Sequence, residues 1–163
     1  RSVLCLAPNG RRRIALVNCA MRYLYPHKGE RGYREALEQL ELNWGAVAYA
    51  ENISCEAGSA ALRELLAQPE RPDAVFAVSD VLAVGVIHAA LEAGLRIPED
   101  LAVVGSDGIP FTSSLNPPLT TIEQPMNRLG ARSVQLLLNR IRQPHSEVVR
   151  EVLPWKRVER ASS

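Results

Sequence analysis

A chain of 163 residues, 47% apolar and 23% charged, can bury one domain-sized core and does not have the composition of a disordered segment. Nineteen Lys and Arg against eighteen Asp and Glu leave a net charge of +1, so this stretch offers no broad basic footprint for nucleic acid. No apolar run reaches the roughly 18 residues of a membrane span, no signal peptide opens the chain, and Cys5, Cys19 and Cys55 are odd in number and lack metal spacing, so the expected setting is reducing and cytoplasmic, with no membrane, metal or cofactor.

The chain opens abruptly, as a fragment would. Residues 3–6 read as the last turn of a helix that stops at Ala7-Pro8-Asn9-Gly10. Arg11-Arg12-Arg13 leads into a strand at 14–17, and with a neutral total the triplet reads as a solvated strand entry rather than a phosphate contact. Residues 18–29 show no clean period and are expected to form a loop carrying Tyr23, Tyr25, His27 and Lys28. Loops after buried strands carry function, which makes Tyr25 a candidate contact. A helix is predicted from 30 to 42, with Tyr33, Leu37 and Leu40 on one face. A short strand is predicted at 47–50. A helix follows from Ser54 or Cys55 to about Gln68, with Leu62, Leu65 and Leu66 facing inward.

Residues 71–108 carry the clearest pattern. Ala74-Val-Phe-Ala-Val78 is a strand buried on both faces, and Ser79-Asp80 offers side chains to cap the helix that follows to Ala93. Gly94 stands where a left-handed helix stop is wanted. A second buried strand at 101–104 runs into Gly105-Ser106-Asp107-Gly108. The unit is β-α-β, with parallel strands and a right-handed crossover. Ligands of open α/β sheets bind at the carboxyl ends of strands, where Asp80 and Asp107 both lie. Asp80 reads first as a helix cap. Asp107 is followed by glycine, a poor context for capping, and reads as a ligand-contacting carboxylate.

Beyond Asp107 come a short piece at 109–115, a strand at 119–122, and a helix begun by Pro125 with Leu129, Val134, Leu137, Leu138 and Ile141 on its apolar face. Residues 147–153 alternate weakly and are expected to form an edge strand that Pro154 breaks, with 155–158 continuing in a new direction. The whole is an α/β, doubly wound, mostly parallel sheet. There is no GxGxxG and no GxxxxGK[ST], so nothing cradles a nucleotide phosphate. The Ser of Gly105-Ser106-Asp107-Gly108 is not on a nucleophile elbow, and no His pairs with it in a catalytic order. His88, inside an apolar helix, reads as a core or interface histidine. No enzyme activity is expected.

The segment SDVLAVGVIHAALEAGLRIPEDLAVVGSDG, followed by NPPLTTIEQP, resembles the effector-binding core of the LacI/GalR family of bacterial transcription regulators. GRRRIALV, ERGYREAL and LPWKRVER resemble it too, in family order and spacing, so the match spans nearly the whole chain. The resemblance implies a periplasmic-binding-protein-like (type I) fold with two lobes around a ligand cleft. It assigns residues 12–123 and 154–163 to the C-terminal lobe, and residues 1–11 and 125–153 to remnants of the N-terminal lobe. The helix-turn-helix lies outside the chain. It implies a sugar or related metabolite as effector, a homodimer, and operator DNA bound through the absent N-terminal domain. Residue by residue, it places Ser79, Asp107 and Gln124 at the ligand, with Asp80 beside them. Where the family often has an anchoring Arg this chain has Gly29, with Arg31 and Lys28 as substitutes. Ile53 stands at the position of a stacking aromatic, and Met126 at that of the aromatic after the crossover Gln. The helix at 81–91 is apolar nearly all round, which calls for a second covering surface. The resemblance points to the same face for dimerisation, at Val81, Val84, His88 and Leu115. The main rival is a periplasmic-type sugar-binding protein of a transport system, and a distant one is a small α/β hydrolase without a visible nucleophile–base pair.

Overall fold

The computed structural model describes residues 10–20 and 24–163. The helical turn expected at 3–6, Cys5 and Tyr23 lie outside them. Parallel strands β1 (Ile14–Cys19), β2 (Gly45–Ala50), β3 (Ala74–Ala77), β4 (Ala102–Asp107) and β5 (Thr120–Glu123) form one sheet with the short strand β6 (Lys156–Val158). Their order is β2-β1-β3-β4-β5-β6, and β6 alone runs antiparallel, against β5. The expected doubly wound, mostly parallel sheet is what forms. Its strands are short apolar runs because helices cover both faces.

On one face, helix α1 (Leu24–Gln39) buries Tyr33, Ala36 and Leu37 against Ile14, Leu16, Phe76 and Val104. Burial pushes the Tyr33 phenol up to about 12, so it remains a donor, and it gives its proton to the Ile14 carbonyl at 2.7 Å. On the other face, α2 (Cys55–Leu66) and α3 (Asp80–Glu92) bury Leu62, Leu65, Leu82, Val86 and Ile87 against Ala15, Val17, Val75 and Val103. Ser54 caps α2 through the Ala57 N–H, and Gly94, at φ +75, closes α3 as expected.

The two helices touch at backbone distance. A Cβ on Gly85 would stand 1.9 Å from the Cys55 carbonyl oxygen, and the Ser59 hydroxyl donates to the Gly85 carbonyl at 2.8 Å. Gly85→Ala must therefore push α2 and α3 apart. Overpacking of this kind costs about 1–3 kcal/mol, so thermal unfolding should shift down by several degrees. An unchanged melting temperature would show that the helices do not sit this close.

Three sequence expectations are corrected. Residues 24–29 are not loop but the first turns of α1, because Pro26 is compatible with a helix start and the buried Tyr33–Leu37 face anchors the helix. Residues 147–153 form no strand. Among the described residues they join no strand ladder, and Val148, Val149 and Val152 are exposed. Alternation alone supplies no ladder partner. His88 is not a core residue: its ring is exposed and approaches Glu92 at 3.7 Å.

Helix α4 (Met126–Arg142) buries none of its residues, and Leu129, Val134, Leu137, Leu138 and Ile141 all face solvent. The chain's last residues return to the sheet. Ser162 is fully buried; its hydroxyl donates to the Val103 carbonyl at 2.6 Å and accepts the Thr120 N–H at 2.8 Å, while its carbonyl accepts the Val103 N–H at 2.7 Å. The tail thus bridges the starts of β4 and β5.

Candidate functional site

Three strands deliver the site to their carboxyl ends. Ser79 follows β3, Asp107 ends β4, and Gln124 follows β5. The Ser79 hydroxyl donates to Asp107 Oδ2 at 2.9 Å, and the Asp80 backbone N–H donates to the same oxygen at 3.3 Å. Gln124 Nε2 donates to Asp107 Oδ1 at 3.2 Å. Four of the sequence candidates, Ser79, Asp80, Asp107 and Gln124, are thereby brought together. Burial pushes the Asp107 carboxyl above the usual aspartate range; the Ser79 hydroxyl and the Asp80 amide pull it back, and the Asp80 charge pushes it up again.

Asp107 also has an unusual backbone, with φ +147. Such a conformation in a residue other than glycine costs about 1–3 kcal/mol and persists only where its surroundings dictate it. Here the Gln124 N–H donates to the Asp107 carbonyl at 3.3 Å, and the next two amides, of Gly108 and Ile109, donate to Asp80 Oδ2 at 2.9 and 2.8 Å.

Asp80 is not the helix cap. Ser79 is, its hydroxyl accepting the Val81 N–H at 3.3 Å. Asp80, the first residue of α3, turns its fully buried carboxylate inward, where Thr121 Oγ1 donates to Oδ1 at 2.5 Å. Three donors, all distant in sequence, claim it. Thr121 is the site residue that sequence reasoning missed. Its signal was a hydroxyl at the centre of a strand otherwise read only as β-branched.

The remaining candidates are not joined to this cluster. Arg31 is exposed on the outer side of α1 and pairs with Glu35 at 3.5 Å. Lys28 is exposed as well. Gly29, by contrast, faces the sheet edge, since a Cβ there would stand 3.5 Å from Val78 Cγ1. Ile53 lies half-exposed in the turn between β2 and α2. Tyr25 belongs to the first turn of α1, and its side chain lies outside the described part. Val81, Val84 and Leu115 are half-buried. Among the described residues no group of His, Cys, Asp and Glu is placed to hold a metal ion, and no helix is long and apolar enough to cross a membrane.

A cluster of hydroxyl, amide and carboxylate groups at strand ends can donate hydrogen bonds to a polyol and accept them from it. Comparison with known proteins agrees. Residues 3–163 match the family described as periplasmic binding protein-like domain. The chain belongs to this family. The ribose operon repressor of Escherichia coli strain K12 is 40% identical over 133 residues, which cover 81% of this chain and 40% of the repressor. A solved structure of an uncharacterized protein from Actinobacillus succinogenes superimposes with a TM-score of 0.92 at 45% identity, covering 99% of this chain and 59% of that one. A LacI family transcriptional regulator from Enterococcus faecium, solved with bound ribose, gives 0.87 at 32% identity, covering 98% and 59%. The resemblance to LacI/GalR effector-binding cores is upheld, and the similar named proteins are repressors, not enzymes. The chain spans about two-fifths of the length of the curated relatives it matches.

Proposed function

We propose that this chain is the effector-sensing core of a LacI-type transcriptional repressor, and that it binds a sugar or related metabolite at the carboxyl edge of the sheet. The observation that carries the reading is Asp107: strained, desolvated and held between Ser79 and Gln124, it presents a charged acceptor where ligands of such sheets bind. Residues 12–123 and 154–163 form one lobe. Residues 1–11 and 125–153 belong to the other, a division supported by the unburied side chains of α4 and by the tail's return to β4 and β5. Ligand between the lobes shifts their relative angle, and in the full protein that shift alters how paired N-terminal domains fit an operator. The protein acts as a homodimer in the cytoplasm and turns nothing over. The transport-protein alternative is disfavoured because the named relatives are repressors.

Relatives named for ribose, and one solved with ribose bound, make D-ribose the first ligand to try. Calorimetry of the purified protein should give a saturable isotherm with D-ribose or another neutral pentose, hexose or nucleoside, and the ligand should be recovered chemically unchanged. A panel that gives no heat at millimolar concentration would sink the sugar reading. Ligand altered at a rate that tracks the protein would sink the non-enzymatic one.

A further inference from the structure

The Asp80 carboxylate is one residue from the proposed contact Ser79, yet it has no exposed surface with which to meet a ligand. Its three donors are all protein groups: the Gly108 and Ile109 amides on Oδ2 and the Thr121 hydroxyl on Oδ1. The sheet leaves a notch for it, since a Cβ on Gly105 would come within 2.3 Å of Oδ1. The turn it grips is the one in which Asp107 takes its positive φ, while the Asp80 N–H reaches Asp107 Oδ2. Asp80 therefore holds Asp107 twice, by an amide on the carboxylate and by a carboxylate on the two amides that follow. The turn continues into a short 3-10 helix, Pro110–Ser114. There the Thr112 hydroxyl donates to the Ile109 carbonyl at 2.7 Å, and the Leu119 N–H donates to the Thr112 carbonyl at 3.0 Å.

We propose that Asp80, seconded by Thr121, is a positioning residue that aims Asp107 and ties residues 109–115 to the effector site through one buried carboxylate. The link to affinity rests on the reading of Asp107 as the effector contact; the clamp itself is testable without ligand. Asp80→Asn keeps an oxygen for the two amides and offers an NH2 to the Thr121 oxygen, whereas Asp80→Ala removes both. Thr121→Val is the milder second variant, leaving Oδ1 without its donor.

By nuclear magnetic resonance on the intact protein, amide exchange at Gly108 and Ile109 should speed up at least tenfold in Asp80→Ala and several-fold in Thr121→Val, and stay within threefold of wild type in Asp80→Asn. The Asp107 carboxyl should titrate lower in Asp80→Asn, because the neighbouring negative charge is gone. Among the described residues a further charged group beside Asp107, Glu123 on β5, is its exposed register partner and is unchanged in every variant. The Ser79 hydroxyl and the Gln124 amide are uncharged. With D-ribose as probe, Asp80→Ala should raise Kd at least tenfold and Asp80→Asn should restore it. Unchanged exchange in Asp80→Ala and an unmoved Asp107 titration in Asp80→Asn would overturn the clamp. If instead Asp107→Ala bound D-ribose as wild type does, the effector reading would fail while the clamp stood.

Discussion

Asp107→Ala is expected to weaken effector binding at least tenfold, and Asp107→Asn to make the protein more resistant to heat at neutral pH. The first effect follows from charge. A hydrogen bond to an ionised acceptor contributes about 1.5–3 kcal/mol, and about 1.4 kcal/mol is a factor of ten in affinity. The second follows from the direction of the Asp107 shift. Burial, the leading cause, raises its carboxyl above the ordinary aspartate value, so the native state holds that proton more tightly than the unfolded chain does. Stability therefore falls as pH rises from about the unfolded value through the raised native one, and the loss persists at neutral pH. Asparagine mimics the protonated side chain. It keeps an oxygen for the Ser79 hydroxyl and the Asp80 amide, and Gln124, being exposed, can turn its own amide to suit. Its advantage in melting temperature should be full at pH 7 and vanish below the ordinary aspartate range. Calorimetry with the effector and thermal scans across pH read both effects. An Asp107→Asn variant no more stable than wild type at pH 7 would mean that the buried charge costs nothing, and unchanged affinity in Asp107→Ala would remove this residue from the site.

The β-α-β unit around α3 was legible because every local signal there agreed: β-branched strands, a Ser-Asp helix start and a glycine stop. The start of α1 was not. Pro26 and Gly29 look like loop residues, and only the burial of Tyr33, Ala36 and Leu37 on β1 shows that a helix passes through them. That error also hid the relation of Arg31 to position 29, since both belong to α1. Helical residues turn about 100° each, so the Arg31 side chain, two positions on, leaves α1 some 200° around its axis from position 29. The role of Asp80 was hidden for another reason. Its donors lie 28, 29 and 41 residues away, and no local pattern carries a contact of that range. Asp107 was legible as a site candidate because it stands at the carboxyl end of a strand that the sequence already marked, whereas Ser79 and Gln124 entered through the family resemblance.

Wild-type protein is expected to sediment as a dimer at micromolar concentration, and a Val84→Asp, Leu115→Asp double variant as a monomer. The structure sorts the apolar surface of α3 into two faces. Leu82, Val86 and Ile87 are buried on the sheet, while Val81 and Val84 are only half-covered and Leu91 and His88 are exposed. The outward stripe, 81, 84 and 88, follows the spacing of one helix face. Around it lies a polar rim, where Arg63 meets Glu92 at 2.8 Å and His88 approaches the same carboxylate. Leu115 is half-buried just beyond the Pro110–Ser114 helix, on which Phe111 is 62% exposed. An apolar centre ringed by charge is how protein interfaces are built. At the chain's own C-terminal end, Arg160 and Ser162 are engaged at the starts of β4 and β5. A two-fold axis brings the same patch from each chain, so each substitution enters the interface twice. Desolvating a lone carboxylate costs several kcal/mol, more than an interface of ordinary size can absorb four times over. Far-UV circular dichroism should show the variant folded, since both positions are half-exposed within one chain. A wild type that is already monomeric at micromolar concentration, or a folded double variant that remains dimeric, would rule this face out.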